Sequence, residues 1–264
     1  MYLGLPGDAG QPATDGTRPV SSVAGMKIIE SNGLGKRYGR TWALRDCTLS
    51  IPGGHVVALA GPNGAGKTTL LNLAVGLARP TSGAVRVLDG LAAGSPEALD
   101  QIAFVAQDAP LYQTMPVRDM LRVASYLNLR WDGSLASERL ARLRIGLRTR
   151  VGALSGGQKA QLALTIALAR RPSLLVLDEP LAALDPVARD DFMQSMRDEV
   201  AGSGISVLFS SHVVAELSQV ASYLVVLGRG SVLVAGDVPS LEQSHGAGLE
   251  KIVLQYMRSS AVAA

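Results

Sequence analysis

The stretch VVALAGPNGAGKTTLLNLAVGLA, Val56 to Ala78, restricts the fold more than any other part of the chain. An apolar run of strand length enters a glycine-rich loop, and the loop opens directly into a helical pattern. Gly61, Gly66, Lys67 and Thr68 keep the spacing G-x-x-x-x-G-K-[ST]. That spacing matters only between a strand and a helix, and here it has both. Glycines let backbone N–H groups curl around phosphate oxygens, and the helix N-terminus adds a favourable dipole. Lys67 is expected to reach the outer phosphates of a nucleotide, and the Thr68 hydroxyl to ligate Mg²⁺. The residues between them, Pro62, Asn63, Gly64 and Ala65, with Thr69 after them, complete the cradle.

Further apolar runs, IAFVAQ, SLLVLDE and ISVLFSSH, alternate with helical patterns near 66–76, 155–170, 186–201 and 213–220. Runs apolar on both faces suit a buried parallel sheet, and the strand–helix alternation implies an α/β class. With 264 residues the chain holds one large domain or one domain and a subdomain. Two regions break the pattern. Ile28 to Val57 reads as short strands with a turn at PGG, a small antiparallel β subdomain. Leu111 to Arg150 is helical and separates the core motifs, so a helical subdomain is expected as an insertion at about 108–155. SYLVVLGRGSVLVAGD reads as a hairpin turning at Gly228–Gly230. The expected division is a disordered tail at 1–25, a nucleotide-binding domain at 26–245 and a short extension at 246–264. Met26, just before KIIE, is the expected natural start, or else the tail is dispensable.

Composition excludes little. Aromatics are 4% of residues, so the core must be aliphatic. A net charge of +3 does not argue for nucleic acid or an anionic membrane. The one cysteine, Cys47, lies among apolar residues and reads as a small buried side chain. No run of eighteen or more apolar residues occurs, so nothing reads as a bilayer span.

Asp178 and Glu179 end the apolar run SLLVLDE, where open α/β sheets bind ligands. A carboxylate at 178 can hold Mg²⁺ through water. Glu179, expected on the opposite side of the strand line, is the candidate base for a water attacking the γ-phosphate. A second helix start, LSGGQ at Leu154–Gln158, also carries a serine and two glycines but no lysine. Ser155 can N-cap that helix, while Gly156 and Gly157 expose N–H groups without bulk.

The ordered set Gly61–Thr68, FVAQ with Gln107, LSGGQ, LLVLDEP, LDP at Leu184–Pro186 and SSH with His212 resembles the ATP-binding subunit of an ATP-binding cassette (ABC) transporter, of the bacterial exporter type. The resemblance spans about Ile28 to Val238. It implies a P-loop NTPase core, ATP and Mg²⁺, and ATP hydrolysis. It implies two subunits packed head to tail, with Ser155, Gly156, Gly157 and Gln158 of one capping the γ-phosphate held by Lys67 of the other. Gln107 resembles the glutamine that links Mg²⁺ and the attacking water to the helical subdomain. His212 resembles the histidine that contacts the γ-phosphate and orients Glu179. Asp185 resembles the aspartate that communicates across the dimer, and it also suits a helix N-cap before Pro186. Tyr38 resembles the aromatic that stacks on adenine, with Trp42 as the competing residue.

Departures from the family pattern stand at His55, Leu181 and Ser222, and at Gln161, where a basic residue is frequent. None belongs to the catalytic set. The resemblance further implies an integral membrane permease as partner, a homodimer or ATP-driven dimer, and a peripheral place on the cytoplasmic face of a bacterial membrane. Nucleic acid is not an expected partner. The rival reading is a non-transport ABC ATPase acting on nucleic acid or the ribosome. LYQTMPVRDMLRVASYLNLRW, Leu111 to Trp131, is either the surface for the permease or an internally packed amphipathic helix. In ERLARLRIGLRTR, Leu140, Leu143 and Leu147 fall on one helical face, which assigns Arg139, Arg142, Arg144, Arg148 and Arg150 to a solvated one.

Overall fold

The computed structural model describes residues 25–107, 110–182 and 184–262. The tail expected at 1–25 therefore lies, apart from Gly25, outside the described residues.

The chain begins with β1 (Lys27–Tyr38) and β2 (Thr41–Pro52), an antiparallel pair registered from Lys27 opposite Pro52 to Tyr38 opposite Thr41. These are not short strands: each has twelve residues, and several register irregularities interrupt the pairing. Those irregularities disturb the two-residue alternation that marks a strand in sequence. Next come β3 (Val56–Ala60) and α1 (Lys67–Ala74), then β4 (Ser82–Val87) and β5 (Leu91–Ala92). The first sheet has the order β2-β1-β4-β5.

The helix α2 (Pro96–Gln101), N-capped by Ser95, leads into β6 (Ile102–Val105). Between β6 and the next core helix lie α3 (Val117–Leu127), α4 (Gly133–Arg142) and a one-turn 3-10 helix, Val151–Ala153. Val117, Met120, Leu140, Ile145 and Val151 form a small apolar core for this region, to which α5 (Gly156–Ala169) contributes Leu162. The helix α4 stops earlier than its leucine spacing suggests. Arg144 takes a left-handed φ of 54°, and Leu147 is exposed rather than packed with Leu140.

The rest alternates: β7 (Leu174–Asp178), α6 (Pro186–Ser203), β8 (Ser206–Ser211), α7 (Val214–Ser218), β9 (Tyr223–Gly228) and β10 (Ser231–Asp237). The second sheet runs β10-β9-β3-β8-β7-β6, with its neighbours parallel except for the hairpin strand β10. β7 and β8 are buried on both faces, as their unbroken apolar runs require. Two helices follow, α8 (Val238–His245) and α9 (Leu249–Val262). The expected short extension is more than an appendage: Leu249, Ile252 and Val253 of α9 join the core cluster that contains Val226 and Phe209.

Cys47 is buried, its Sγ 3.0 Å from the Gly230 carbonyl, and burial pushes its thiol pKa up. A desolvated thiol is a poor nucleophile, so it acts as a packing residue.

Candidate functional site

The ends of β3, β6, β7 and β8 converge on one cleft, which has a volume of about 570 Å³. Its walls include Tyr38, Asn63, Gly64, Gly66, Lys67, Thr68, Thr69, Gln107, Glu179 and His212. The loop after β3 makes a tight turn. Gly61, Gly64 and Gly66 all have positive φ, at 154°, 78° and 103°. A Cβ on Gly61 would lie 2.5 Å from the Leu227 carbonyl oxygen, and one on Gly66 lies 2.6 Å from that of Ala43. Glycine is therefore required by conformation and by space at both positions.

Lys67 is 5% exposed. Its ammonium donates to the carbonyls of Gly61 (2.8 Å) and Pro62 (3.3 Å) and lies 3.3 Å from Glu179 Oε1. A buried ammonium needs such partners, because an unpaired one costs several kcal/mol. Ligand phosphates are the natural replacement for these contacts at a loop of exposed N–H groups.

Asp178 is buried at the end of β7 and accepts from Ser210 Oγ at 2.8 Å. Glu179 does not continue the strand alternation. Its φ is 45°, a left-handed conformation uncommon for a non-glycine residue. The turn is held by its own amide, which donates to Ser210 Oγ at 2.9 Å. It aims the carboxylate at two partners, Lys67 and His212 Nδ1, the latter at 3.0 Å. Strain of this kind persists where surrounding contacts over-determine it, and it clusters at reactive positions. Glu179, His212, Lys67 and Gln107 are thus brought to one cleft, as expected, although by a turn rather than by strand alternation. Thr68 and Gln107 line the cleft with oxygen atoms of the kind a hard cation such as Mg²⁺ takes, and the buried Asp178 carboxylate stands next in chain to Glu179 of the same cleft. Tyr38 lines this cleft, whereas Trp42 is instead 5.6 Å from the Arg37 guanidinium.

Ser155 and Asp185 are elsewhere. They line a second cleft, of about 220 Å³, that shares no residue with the first. Ser155 N-caps α5 in a full capping box: the Gln158 amide donates to Ser155 Oγ (3.2 Å), and the Ser155 amide to Gln158 Oε1 (3.1 Å). Asp185 N-caps α6 by accepting from the Ala188 amide at 3.0 Å. Gly156 is exposed at the helix tip, and Gly157 packs against α6.

Two supports escape a reading of motifs. Ser210 holds both Asp178 and Glu179. Glu216 accepts from Ser211 Oγ (2.7 Å) and Arg189 Nη1 (3.1 Å), while Arg189 Nε donates to the Leu184 carbonyl (2.9 Å). The strand end before His212 is thereby tied to the loop before Asp185. The SSH and LDP motifs flag these places, but only the fold shows the bonds.

Fold and site together define a P-loop nucleotide-binding α/β protein. The family model described as ABC transporter matches residues 44–182. The chain is 34% identical over 233 residues to the uncharacterized ABC transporter ATP-binding protein YxlF of Bacillus subtilis, covering 83% of this chain and 74% of that protein. It is 35% identical over 239 residues to the sulfate/thiosulfate import ATP-binding protein CysA of Escherichia coli K12, covering 87% of this chain and 64% of that one. The chain thus spans slightly less than two thirds of that import protein. A solved ATP-binding subunit of an ABC transporter superposes with a TM-score of 0.75 at 25% identity, covering 87% of this chain and 99% of that one. A dimeric structure of the bacterial cassette MJ0796 gives 0.70 at 25% identity, covering 80% and 98%. The chain belongs to the ABC transporter family, as an ATP-binding subunit with the ATPase activity of that family. Among the described residues no helix is long and apolar enough to cross a membrane.

Proposed function

We propose that this chain powers a separate integral membrane permease by ATP-driven dimerisation, each ATP lying between the Lys67 loop of one protomer and the Ser155 loop of the other. The observation that carries this reading is the separation of the two loops within one protomer. Lys67 and Ser155 line different clefts with no residue in common, which suits a γ-phosphate held by the first loop and capped by the second loop of another chain. The dimeric form of the similar cassette MJ0796 supports it.

In this reading Lys67, Thr68, Thr69 and the backbone from Gly61 to Gly66 hold the phosphates, and Tyr38 stacks on the base. Thr68, Asp178 and Gln107 hold Mg²⁺, which neutralises phosphate charge when bound. Glu179 accepts the proton of the attacking water, and His212 holds the Glu179 carboxylate in line. Ser155, Gly156, Gly157 and Gln158 cap the phosphate from across the dimer, with Asp185 beside them. Hydrolysis removes the shared charge that joins the protomers, and their parting moves the permease. Residues 111–131, with Tyr112 and Tyr126 exposed, offer the permease contact.

Replacing Glu179 with Gln keeps the shape and removes the base. The variant should bind ATP, lose about a thousandfold in turnover, and accumulate as an ATP-dependent dimer in size-exclusion chromatography. A variant that binds ATP yet stays monomeric overturns the reading. Ser155→Arg should abolish turnover while nucleotide binding by the same chain persists.

Export is the direction proposed from the resemblance of the GPNGAGKTTL loop to bacterial exporter ATPases. The names of the sulfate/thiosulfate import relatives favour the opposite direction. Inverted membrane vesicles holding the assembled transporter separate the two: ATP-driven cargo accumulation inside them means export.

A further inference from the structure

Charge patterning places the arginines of Glu138–Arg150 on a solvated face, and Arg139 departs from it. It is 3% exposed, although the other basic residue of its helix, Arg142, and the arginines that follow face water. Its guanidinium reaches three groups on two other helices. Nε donates to Thr165 Oγ1 (3.1 Å) and Nη2 to Gln161 Oε1 (3.1 Å), both on α5. Nη1 donates to Glu199 Oε1 (2.9 Å) on α6. Gln161 extends the set by donating from Nε2 to Ser195 Oγ (3.3 Å), also on α6. Burial lowers the pKa of Arg139, and the carboxylates of Glu199, which it touches, and of Asp198 oppose that shift. Gln161, at the centre of the set, is buried and neutral, and the buried cation is delivered from α4.

The helices that Arg139 joins are those whose N-termini carry Ser155 and Asp185. Those N-termini touch, since a Cβ on Gly157 would lie 2.8 Å from Ala188 Cβ. At 1.5 Å of rise per residue, Thr165 lies about 15 Å below Ser155 along α5. A tilt of about 5° around that lower point displaces Ser155 by about 1 Å. Misplacement of that size is enough to cost about a hundredfold in rate where groups must be aligned.

We infer that Arg139 is a positioning residue for ATP turnover: from α4 it fixes the tilt of α5 against α6, and so the placement of Ser155 and Asp185 toward the partner protomer's nucleotide. This rests on the shared-pocket reading above. The planar fork suits the task, since its donors point in fixed directions at three acceptors on two helices. A lysine in its place could satisfy Glu199 but not the whole set. Because α4 shares a small apolar core with α3, which lies in the segment proposed to meet the permease, the same contact ties that segment to the Ser155 loop.

The test compares nucleotide affinity with turnover in the full chain. Arg139→Met should lower kcat at least tenfold, while the Kd for a fluorescent ATP analogue, measured on dilute monomer, stays within twofold of wild type. Arg139→Lys should recover thermal stability yet reach no more than about a third of wild-type kcat. Wild-type kcat in either variant overturns the inference, and so does a parallel loss of Kd and kcat in the lysine variant. If Arg139→Met does not fold, Arg139→Lys alone decides between these outcomes. Ser155→Arg run alongside separates the two levels. A fully active Ser155→Arg defeats the shared pocket, whereas an inactive Ser155→Arg beside a fully active Arg139→Met defeats only the role of Arg139.

Discussion

Two helix starts in this chain carry glycines, and the structure gives those glycines different reasons to exist. At the start of α1 they bend the backbone: Gly61, Gly64 and Gly66 all have positive φ, and a buried cation, Lys67, stands behind them. At the start of α5 neither Gly156 nor Gly157 takes a left-handed conformation, and both are ordinary helical residues. Gly157 is small because Ala188 of α6 leaves no space for a Cβ. The donors differ as well. In the α5 start the Gln158 amide and the Ser155 amide are already engaged in the capping box. What remains for an anion is the Ser155 hydroxyl hydrogen and the amides of Gly156 and Gly157. The first start is a complete phosphate cradle. The second is a rigid, partly satisfied tip that offers a few donors to something brought up against it.

The widest gap between the two starts should appear on removing the cation. Lys67→Ala deletes the one buried ammonium that faces the phosphate site and leaves Glu179 without it. Charge-assisted hydrogen bonds contribute about 1.5–3 kcal/mol each, so ATP affinity of the monomer should fall by roughly a hundredfold, measured by equilibrium titration. No single substitution at the α5 tip should affect monomer affinity to that degree. A Ser155→Ala or Gly157→Ala monomer that lost ATP as severely would erase the distinction.

Gly157→Ala examines the second start where packing is tightest. The added methyl would face Ala188 Cβ at 2.8 Å, well inside the roughly 3.5–4.0 Å of normal carbon contact. The helices α5 and α6 must then part by about 1 Å, and overpacking of this kind costs about 1–3 kcal/mol. Denaturant unfolding should show that loss, and turnover should fall with ATP affinity of the monomer unchanged. Adding Ala188→Gly removes the collision. The double variant should regain both turnover and stability, since it only exchanges one helical glycine for another.

The same contrast explains what could be read in the sequence. Asp178, Glu179 and His212 stand at strand ends and Lys67 and Thr68 at the helix start after one, where a local pattern of apolar residues followed by small or charged ones is enough to place them. The capping roles of Ser155 and Asp185 are also local, set within three residues of chain. Arg139 was not legible, because α4 has the composition of a solvated helix and only its docking on α5 and α6 buries one arginine of several. Ser210 and Glu216 were hidden for the same reason: each bonds to residues on other elements. The strands β1 and β2 read as short because register shifts interrupt their alternation. The end of α4 was misplaced because nothing in the leucine spacing signals the left-handed turn at Arg144.

The smallest effect separates a neutral helix cap from a charged one. Ser155→Ala removes the acceptor for the Gln158 amide and should cost about 1 kcal/mol of stability, independent of pH because a hydroxyl does not titrate in the accessible range. Asp132, the cap of α4, provides the contrast. Its carboxyl is held below the usual aspartate range, first by the Leu135 amide at 2.8 Å and then by Arg171, whose Nη2 lies 2.6 Å away. A carboxyl with a depressed folded-state pKa stabilises the fold fully above its unfolded value, and that contribution fades as pH falls through the lower folded value. Asp132→Ala should therefore also cost about 1 kcal/mol near neutral pH. Unlike the Ser155→Ala deficit, this one should shrink on acidification below about pH 4. Urea unfolding of both variants from pH 7 to pH 3 measures the difference. A deficit for Asp132→Ala that stays constant across that range would show that the ionised carboxylate is not what caps α4.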